Sequence, residues 1–335
     1  MSGISDVARM AGVSKSTASR ALTGGGYVSE STRQRVAEAA RRIGYVASTN
    51  AASLVTGRTK NVGVIIPFVN RWYFGEVLEG VEDALLACDY DLTLYNVRPG
   101  TPSRSRIFEH FLARKRFDGI ITIGLDPSPA ELDRLLSLDR PVVSLGAQID
   151  GVSSVAIDDV AVSRLATEHL IGLGHTRIVH IGGERSEDLT GTVHGRRLRG
   201  YLDAMADAGL SAETLHVPSA MTLPGGYAAG VQVVSNLRSR PTAISAASDE
   251  VAVGAIVAAR RTGVQVPAEL SVVGVDGHEY AEMFSLTTVE QSPREQGVAV
   301  VELLMDALEG RHETTTTLLH PTRLVVRSTT ARPRD

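Results

Sequence analysis

Apolar residues recur at helical spacing through position 45, then in short runs separated by further helical stretches. In Ser5–Gly12, Val7, Met10 and Ala11 fall on one face and Gly12 supplies a stop. Ser14 is placed to cap a second helix from Lys15 to Leu22, with Ala18, Ala21 and Leu22 as its apolar face. Gly24-Gly25-Gly26 must be a loop. Ser29 is placed to cap a third helix, with Val36, Ala39, Ala40 and Ile43 inward and Gly44 at its end. Three short helices with a glycine turn between the first two form a helix-turn-helix pattern. Residues 48–57, from Ser48 to Gly57, are a further short helix candidate. At this length a helix is unstable alone in water, where ~12–15 residues are marginal, so it is predicted to order only when something packs on it.

From Asn61 the period changes. Strand-like runs are Val62–Ile66, Leu92–Tyr95, Gly119–Ile123, Val142–Leu145, Val155–Ile157, Ile178–Ile181, Thr242–Ser245, Leu270–Val275 and Leu286–Val289. Helical patterns such as Phe74–Ala87, Val160–Leu173, Arg197–Ala208 and Val298–Leu308 separate most of them. Strands alternating with helices predict parallel sheets. The length favours two α/β lobes over one; a barrel of eight βα units fits it as well.

Composition adds an asymmetry. Up to position 60 there are nine basic residues against three acidic ones, and beyond it 25 against 35. A basic head on an acidic body predicts that only the head meets a polyanion. No apolar run approaches the ~18–20 residues that span a bilayer, and the N-terminus has no signal-peptide core. The single cysteine, Cys88, has no internal disulfide partner. Together these place the protein in the cytoplasm.

With Ala18, Ala21 and Leu22 inward, the second helix turns Lys15, Ser16, Ser19 and Arg20 outward. Lys15 and Ser16 lie at the end that reaches bases in a recognition helix. Arg20, one turn on, can pair bidentately with guanine. Thr17 and Ser19 are short hydroxyl donors suited to phosphates. The same surface would also suit a protein-binding three-helix module.

The run Ser5-Asp6-Val7-Ala8-Arg9-Met10-Ala11-Gly12-Val13-Ser14-Lys15-Ser16-Thr17-Ala18-Ser19-Arg20-Ala21-Leu22 closely resembles the head of the lactose/galactose repressor family, whose pattern is D-V-A-x-x-A-G-V-S-x-x-T-V-S-R. Val28-Ser29 through Thr32-Arg33 to Ile43-Gly44-Tyr45 is similar to it as well. The chain has Ala18 where valine is usual, and Gly3 where a threonine caps the first helix, leaving Ser2 or Ser5 as substitutes. The resemblance implies DNA contacts by Lys15, Ser16, Thr17, Ser19, Arg20, Tyr27, Ser29 and Thr32. It makes residues 48–57 a hinge helix that folds against its dimer mate in the minor groove, with Leu54 as the wedge between base steps. Ala47-Ser48 stands where the family usually has Pro-Asn.

The resemblance covers essentially the whole chain, through His169–His175, Pro241–Ile244, Ser271–Asp276 and Leu286–Val289. It implies an α/β protein: a helix-turn-helix head over 1–47, a hinge over 48–60, and a two-lobed, periplasmic-binding-protein-like effector and dimerisation domain with parallel sheets over 61–335. One lobe takes 61–158 and 290–320, the other 159–289 and 321–330, with crossings near 158, 290 and 320. This displaces the barrel. Ligand is expected at the C-terminal ends of the strands.

A sugar site needs flat apolar surface for the ring and polar groups for hydroxyls, and Arg71-Trp72-Tyr73-Phe74 after the first strand supplies both. Phe74, at a helix start, is expected to pack inside. Arg197 and Asp276 match family residues that bind effector hydroxyls. Ser248 and Glu250 flank Asp249 where the family often has Asn-Asp-x, so Ser248 replaces an asparagine. Gly277 replaces a second aspartate, and Gly146 sits where some relatives carry a charged contact.

Enzymatic signatures fail on inspection. His278-Glu279-Tyr280-Ala281-Glu282 lacks the second histidine of a zinc pair, and Gly24–Gly26 lacks the Lys-Ser/Thr of a phosphate loop. Asp158-Asp159 reads as a helix cap rather than a catalytic pair. No metal or cofactor is expected. The resulting expectation is a cytoplasmic repressor of carbohydrate-use genes that leaves its operator when a sugar binds. Alternatives are a purine, phosphosugar or partner-protein effector, or a sugar-binding transport protein. The chain ends soon after strand-like Arg323–Arg327, without the leucine-rich helix that tetramerises some relatives, which predicts a dimer on a near-palindromic operator.

Overall fold

In the computed structural model of the protein, which describes residues 3–23, 26–45, 57–114, 116–183, 192–235, 240–311 and 314–334, the head consists of α1 (Ile4–Ala11), α2 (Lys15–Thr23) and α3 (Glu30–Arg42). Val7, Ala8, Ala11, Ala18, Ala21, Val36, Ala39 and Ala40 form its buried core, with Leu22 and Ile43 half-buried against them. The small residues let three short helices approach closely. Gly3, which has no side chain, is the N-cap of α1, and the Asp6 carboxylate accepts from the Gly3 amide at 2.9 Å. That is one half of a capping box, and it replaces the missing threonine. Gly12 ends α1 at φ +65°, a conformation that favours glycine. Ser14 caps α2 by accepting from the Thr17 amide at 3.1 Å. Ser29 stands at the N-cap of α3, but its hydroxyl donates to Thr32 Oγ1 at 2.9 Å and caps no backbone amide. The neighbouring hydroxyl competes for it, which corrects the expected side-chain cap. The candidate hinge helix, with Ser48 and Leu54, lies outside the described residues.

The body holds two open six-stranded sheets rather than a barrel. The first contains β1 (Asn61–Ile66), β2 (Asp91–Asn96), β3 (Gly119–Ile123), β4 (Val142–Leu145), β5 (Ser153–Ala156) and β11 (Thr317–Leu319) in the order β11-β5-β4-β3-β1-β2. The second contains β6 (Ile178–Ile181), β7 (Leu215–Val217), β8 (Ala243–Ala246), β9 (Ser271–Asp276), β10 (Thr287–Glu290) and β12 (Arg323–Val325) in the order β12-β10-β9-β8-β6-β7. Only the β10–β12 pairing is antiparallel. The central strands β3, β6, β8 and β9 are buried throughout. The pattern missed β7 and β11 because they are short edge strands with exposed positions, which need no apolar run.

The helices of the body are α4 (Trp72–Ala87), α5 (Pro102–Arg106), α6 (Pro129–Leu136), α7 (Asp159–Gly172), α8 (Val193–Asp207), α9 (Leu223–Ser235), α10 (Asp249–Arg261), α11 (Tyr280–Met283) and α12 (Pro293–Leu308). Pairs α4/α12, α7/α8 and α9/α10 pack side by side on the sheets. Asp118 fixes the entry into β1, accepting from the amides of Thr59 at 2.7 Å and Lys60 at 3.0 Å. His169 and His175 are structural. His169 Nε2 bonds Thr330 Oγ1 at 2.9 Å and His175 Nε2 bonds the Ala331 carbonyl at 2.8 Å, so both pin the C-terminal segment to the second sheet.

Candidate functional site

Parallel strands direct their C-terminal ends to one side, and loops leaving those ends meet in a cleft. Its lining comes from after β1 (Phe68, Arg71–Phe74), β3 (Gly124–Asp126), β5 (Ile157, Asp159), β8 (Ser248, Glu250), β9 (Asp276) and β10 (Gln291, Gln296), and from the first turns of α8 (Val193, His194, Arg197). The enclosed cavity is about 260 Å³.

Arg197 is buried at the centre. Its Nε donates to Asp159 Oδ1 at 2.9 Å, and its Nη1 lies 3.6 Å from Asp276 Oδ1. Burial opposes its charge, and the two carboxylates more than offset that, holding it cationic. Arg196 also reaches Asp159, at 2.8 Å. Asp276 is pushed above the usual carboxylate range by burial, against the pull of Arg197. Its backbone sits at φ +134°, a strained conformation for a residue with a side chain. Two devices hold it. Buried Asp249 accepts from the His278 amide at 2.8 Å and from Thr288 Oγ1 at 2.7 Å. Gly277, at φ +74°, leaves no room for a Cβ, which would lie 2.6 Å from Glu290. Glycine therefore replaces the family's second aspartate for a steric reason.

Arg71, Trp72, Tyr73, Arg197, Ser248, Glu250 and Asp276 all line this cleft. Arg71 donates to the Met221 carbonyl and lies over the Phe68 ring at 4.3 Å. Trp72 stacks on His278 with centroids 4.5 Å apart, and its buried Nε1 has no hydrogen-bond partner among the described residues. Tyr73 is kept protonated by burial and by Asp159 and Asp276, and its hydroxyl donates to Gln296 at 3.2 Å. Phe74 packs against the core of the first sheet while its edge touches the cleft. The Ser248 hydroxyl accepts from the Val251 amide at 3.3 Å and so caps α10 as well as lining the wall. Burial raises the pKa of Glu250.

Asp158 and Asp159 divide the role given to both. Asp158 caps α7, accepting from the Ala161 amide at 2.9 Å. Asp159, the first helical residue, turns into the cleft instead. The sequence reading also passed over Arg196, Gln291 and Gln296. Their only signal was position: a doublet beside Arg197, and two amides just after a strand end.

On the head, Lys15, Ser16, Arg20 and Ser29 are exposed, Thr17, Ser19 and Thr32 are half-buried, and Tyr27 is 96% exposed. Arg41 and Arg42 are each paired with Glu38 at 3.0 Å, whereas Lys15 and Arg20 have no ion-pair partner among the described residues. The cationic face of α2 is thus uncompensated, as a surface that meets phosphate requires.

A three-helix head with a bare cationic face, on two open sheets enclosing a charged cleft, defines a ligand-responsive DNA-reading protein. Residues 3–48 match the model for bacterial regulatory proteins, lacI family, and residues 167–330 the periplasmic binding protein-like domain. The HTH-type transcriptional repressor PurR of Vibrio atlanticus (strain LGP32) is 30% identical over 340 residues, covering 98% of both chains. The HTH-type transcriptional regulator DegA of Bacillus subtilis (strain 168) is 31% identical over 336 residues with the same coverage. Among solved structures, the transcriptional regulator CelR–cellobiose complex aligns with a TM-score of 0.72 at 28% identity, over 98% of this chain and 100% of that one. The lac repressor dimer bound to operator and the anti-inducer ONPF shares the fold, with a TM-score of 0.86 at 24% identity over 98% and 99% of the two chains. The chain belongs to the lacI family and is a DNA-binding transcriptional repressor. Among the described residues no helix is long and apolar enough to cross a membrane.

Proposed function

We propose that this repressor binds a near-palindromic operator as a cytoplasmic homodimer and leaves it when a neutral sugar fills the cleft, with no catalytic turnover. The head reads DNA through Lys15, Ser16, Thr17, Ser19, Arg20, Tyr27, Ser29 and Thr32, with Leu54 as a minor-groove wedge. Arg71, Trp72, Tyr73, Arg197, Ser248, Glu250 and Asp276 hold the effector. The observation that carries this reading is the central ion cluster beside the Trp72 ring: Arg197 with Asp159 and Asp276 offers paired donors and acceptors next to a flat apolar face. Hydroxyls both donate and accept, and a pyranose ring has a flat apolar face, so the two chemistries match. The lining arginines are already engaged: Arg104 with Glu131, Arg197 with its carboxylates, and Arg71 with Met221. No cation is left over for a phosphate, which disfavours a phosphosugar.

Release follows from linkage. The effector shifts the equilibrium by its differential affinity for two arrangements of the lobes, and a cleft walled by both sheets supplies that difference. The test is operator binding by gel shift with and without a panel of sugars. Arg197→Ala should bind operator and no longer release it, because effector affinity falls by roughly two orders of magnitude with ~3 kcal/mol of charge-assisted hydrogen bonds. Release by a purine base and not by any sugar would move the assignment to that class. A variant that still titrates with sugar as tightly as wild type would remove Arg197 from the site.

A further inference from the structure

The cleft does not end at the cavity around Arg197. A second cavity of about 460 Å³ opens at its mouth, lined by Phe68, Asn70, Arg71, Arg98, Thr222, Leu223, Pro224 and Glu250. Three of these, Phe68, Arg71 and Glu250, also line the inner cavity, so the two spaces are continuous. The inner one, at about 260 Å³, lies below the ~300 Å³ at which sites for drug-sized ligands begin, and suits a single ring. The outer one has its own walls. Asn70 and Arg98 follow β1 and β2 of the first sheet, while Thr222 to Pro224 lead into α9 beside the second sheet.

The divider between them is fixed. Arg71 is tied to the Met221 carbonyl and lies over the Phe68 ring at 4.3 Å. This leaves a flat planar stack facing outward. Around it the chemistry alternates between apolar Leu223 and Pro224 and hydrogen-bonding Asn70 and Arg98. Both of the latter are exposed and without a side-chain partner among the described residues. Flat apolar surface ringed by donors and acceptors is what a second pyranose ring requires.

We infer that the outer cavity is a second sugar subsite and that the effector is a neutral saccharide of at least two rings, one beside Arg197 and the next between Arg71–Arg98 and Thr222–Pro224. This rests on the sugar reading of the cleft. A two-ring ligand touches both sheets at two levels, and so gains more from their approach than a single ring does.

The test is calorimetric titration of the full-length protein with cellobiose, maltose and lactose, each against glucose and galactose. At least one disaccharide should bind about tenfold or more tighter than its constituent monosaccharides. Arg98→Ala and Asn70→Ala should each weaken that disaccharide roughly 3- to 10-fold, the range of one hydrogen bond, and change the monosaccharide less than about twofold. Both side chains are exposed, so unchanged thermal midpoints should confirm intact folding. Equal affinity for disaccharide and monosaccharide, or substitutions that weaken both alike or neither, would overturn the second subsite while leaving the sugar reading intact. Absence of binding to all five saccharides, by a protein that still binds operator, would overturn the sugar reading and this inference together.

Discussion

Gln291 donates through Nε2 to Oδ1 of Asp276 at 2.6 Å, joining the segment that crosses between the sheets to the strained carboxylate beside Arg197. The contact continues into the first sheet. Gln296 on α12 donates to the Gln291 carbonyl, and Tyr73 on α4 donates to Gln296 at 3.2 Å. The cleft wall is therefore one hydrogen-bonded line from the ion cluster to the α4/α12 pair. Gln291→Ala should remove one buried hydrogen bond to a charged group, about 1.5–3 kcal/mol, and leave Asp276 less compensated. Effector titration should show roughly 10- to 100-fold weaker binding with operator affinity retained. An unchanged effector affinity would mean that the line carries no binding energy.

Arg20 stands exposed and without an ion pair on α2 among the described residues. Arg20→Ala should abolish specific operator binding while the head stays folded, at about 1–3 kcal/mol for each half-site. Its side chain is outside the head core, so circular dichroism should be unaltered. Full operator affinity in the variant would place the reading face elsewhere.

Gly200 is where α8 crosses α7. A Cβ there would lie 2.1 Å from the Val160 carbonyl oxygen and 2.9 Å from the Arg164 amide. Gly200→Ala must therefore push the helices apart, at about 1–3 kcal/mol or more. Because Arg197 and Asp159 come from those same two helices, the thermal midpoint and effector affinity should fall together. A variant as stable as wild type would contradict the packing.

Burial lowers His180 to about 3 and His194 and His278 to about 4, against an ordinary 6.5. The unfolded chain takes up protons that these folded groups refuse, so their contribution is present above about pH 6.5 and is lost as pH falls toward 4. Burial raises Asp249 and Asp276, which works the other way: their contribution is greatest below about pH 4 and is lost as pH rises through the range of 6 to 7. Three histidines against two carboxyls leave a net loss of stability on acidification below about pH 6. Denaturant unfolding across pH 4.5–7.5 should show His180→Phe flattening that loss and Asp249→Asn steepening it. Slopes unaffected by either substitution would show that these groups do not set the acid limit.

The head was legible residue by residue. Its helices are short and amphipathic, its caps are local, and Ala18, Ala21 and Val36 could be placed inward from spacing alone because each helix has one apolar face. The same held for the buried central strands of the body, whose apolar runs mark them directly. Edge strands Leu215–Val217 and Thr317–Leu319 left no such mark, since half of their environment is solvent.

What the sequence determined by itself was the order of elements, the helix-turn-helix head, the uneven charge and the family, each carried by residues close together in the chain. The tertiary structure alone decided which polar groups meet. Asp159 and Arg197 are 38 positions apart and Asp276 lies further still; only the convergence of the β5, α8 and β9 ends brings the three together. Asp158 and Asp159 look equivalent in sequence, yet one caps a helix and the other enters the cleft, because a helix start turns successive side chains about 100° apart. Gly277 reads as a lost carboxylate until Glu290, on the adjacent strand, is seen to occupy the space of a Cβ. Local periodicity encodes burial, but a site between two sheets is set by contacts distant in the chain, and those form only when both sheets have folded.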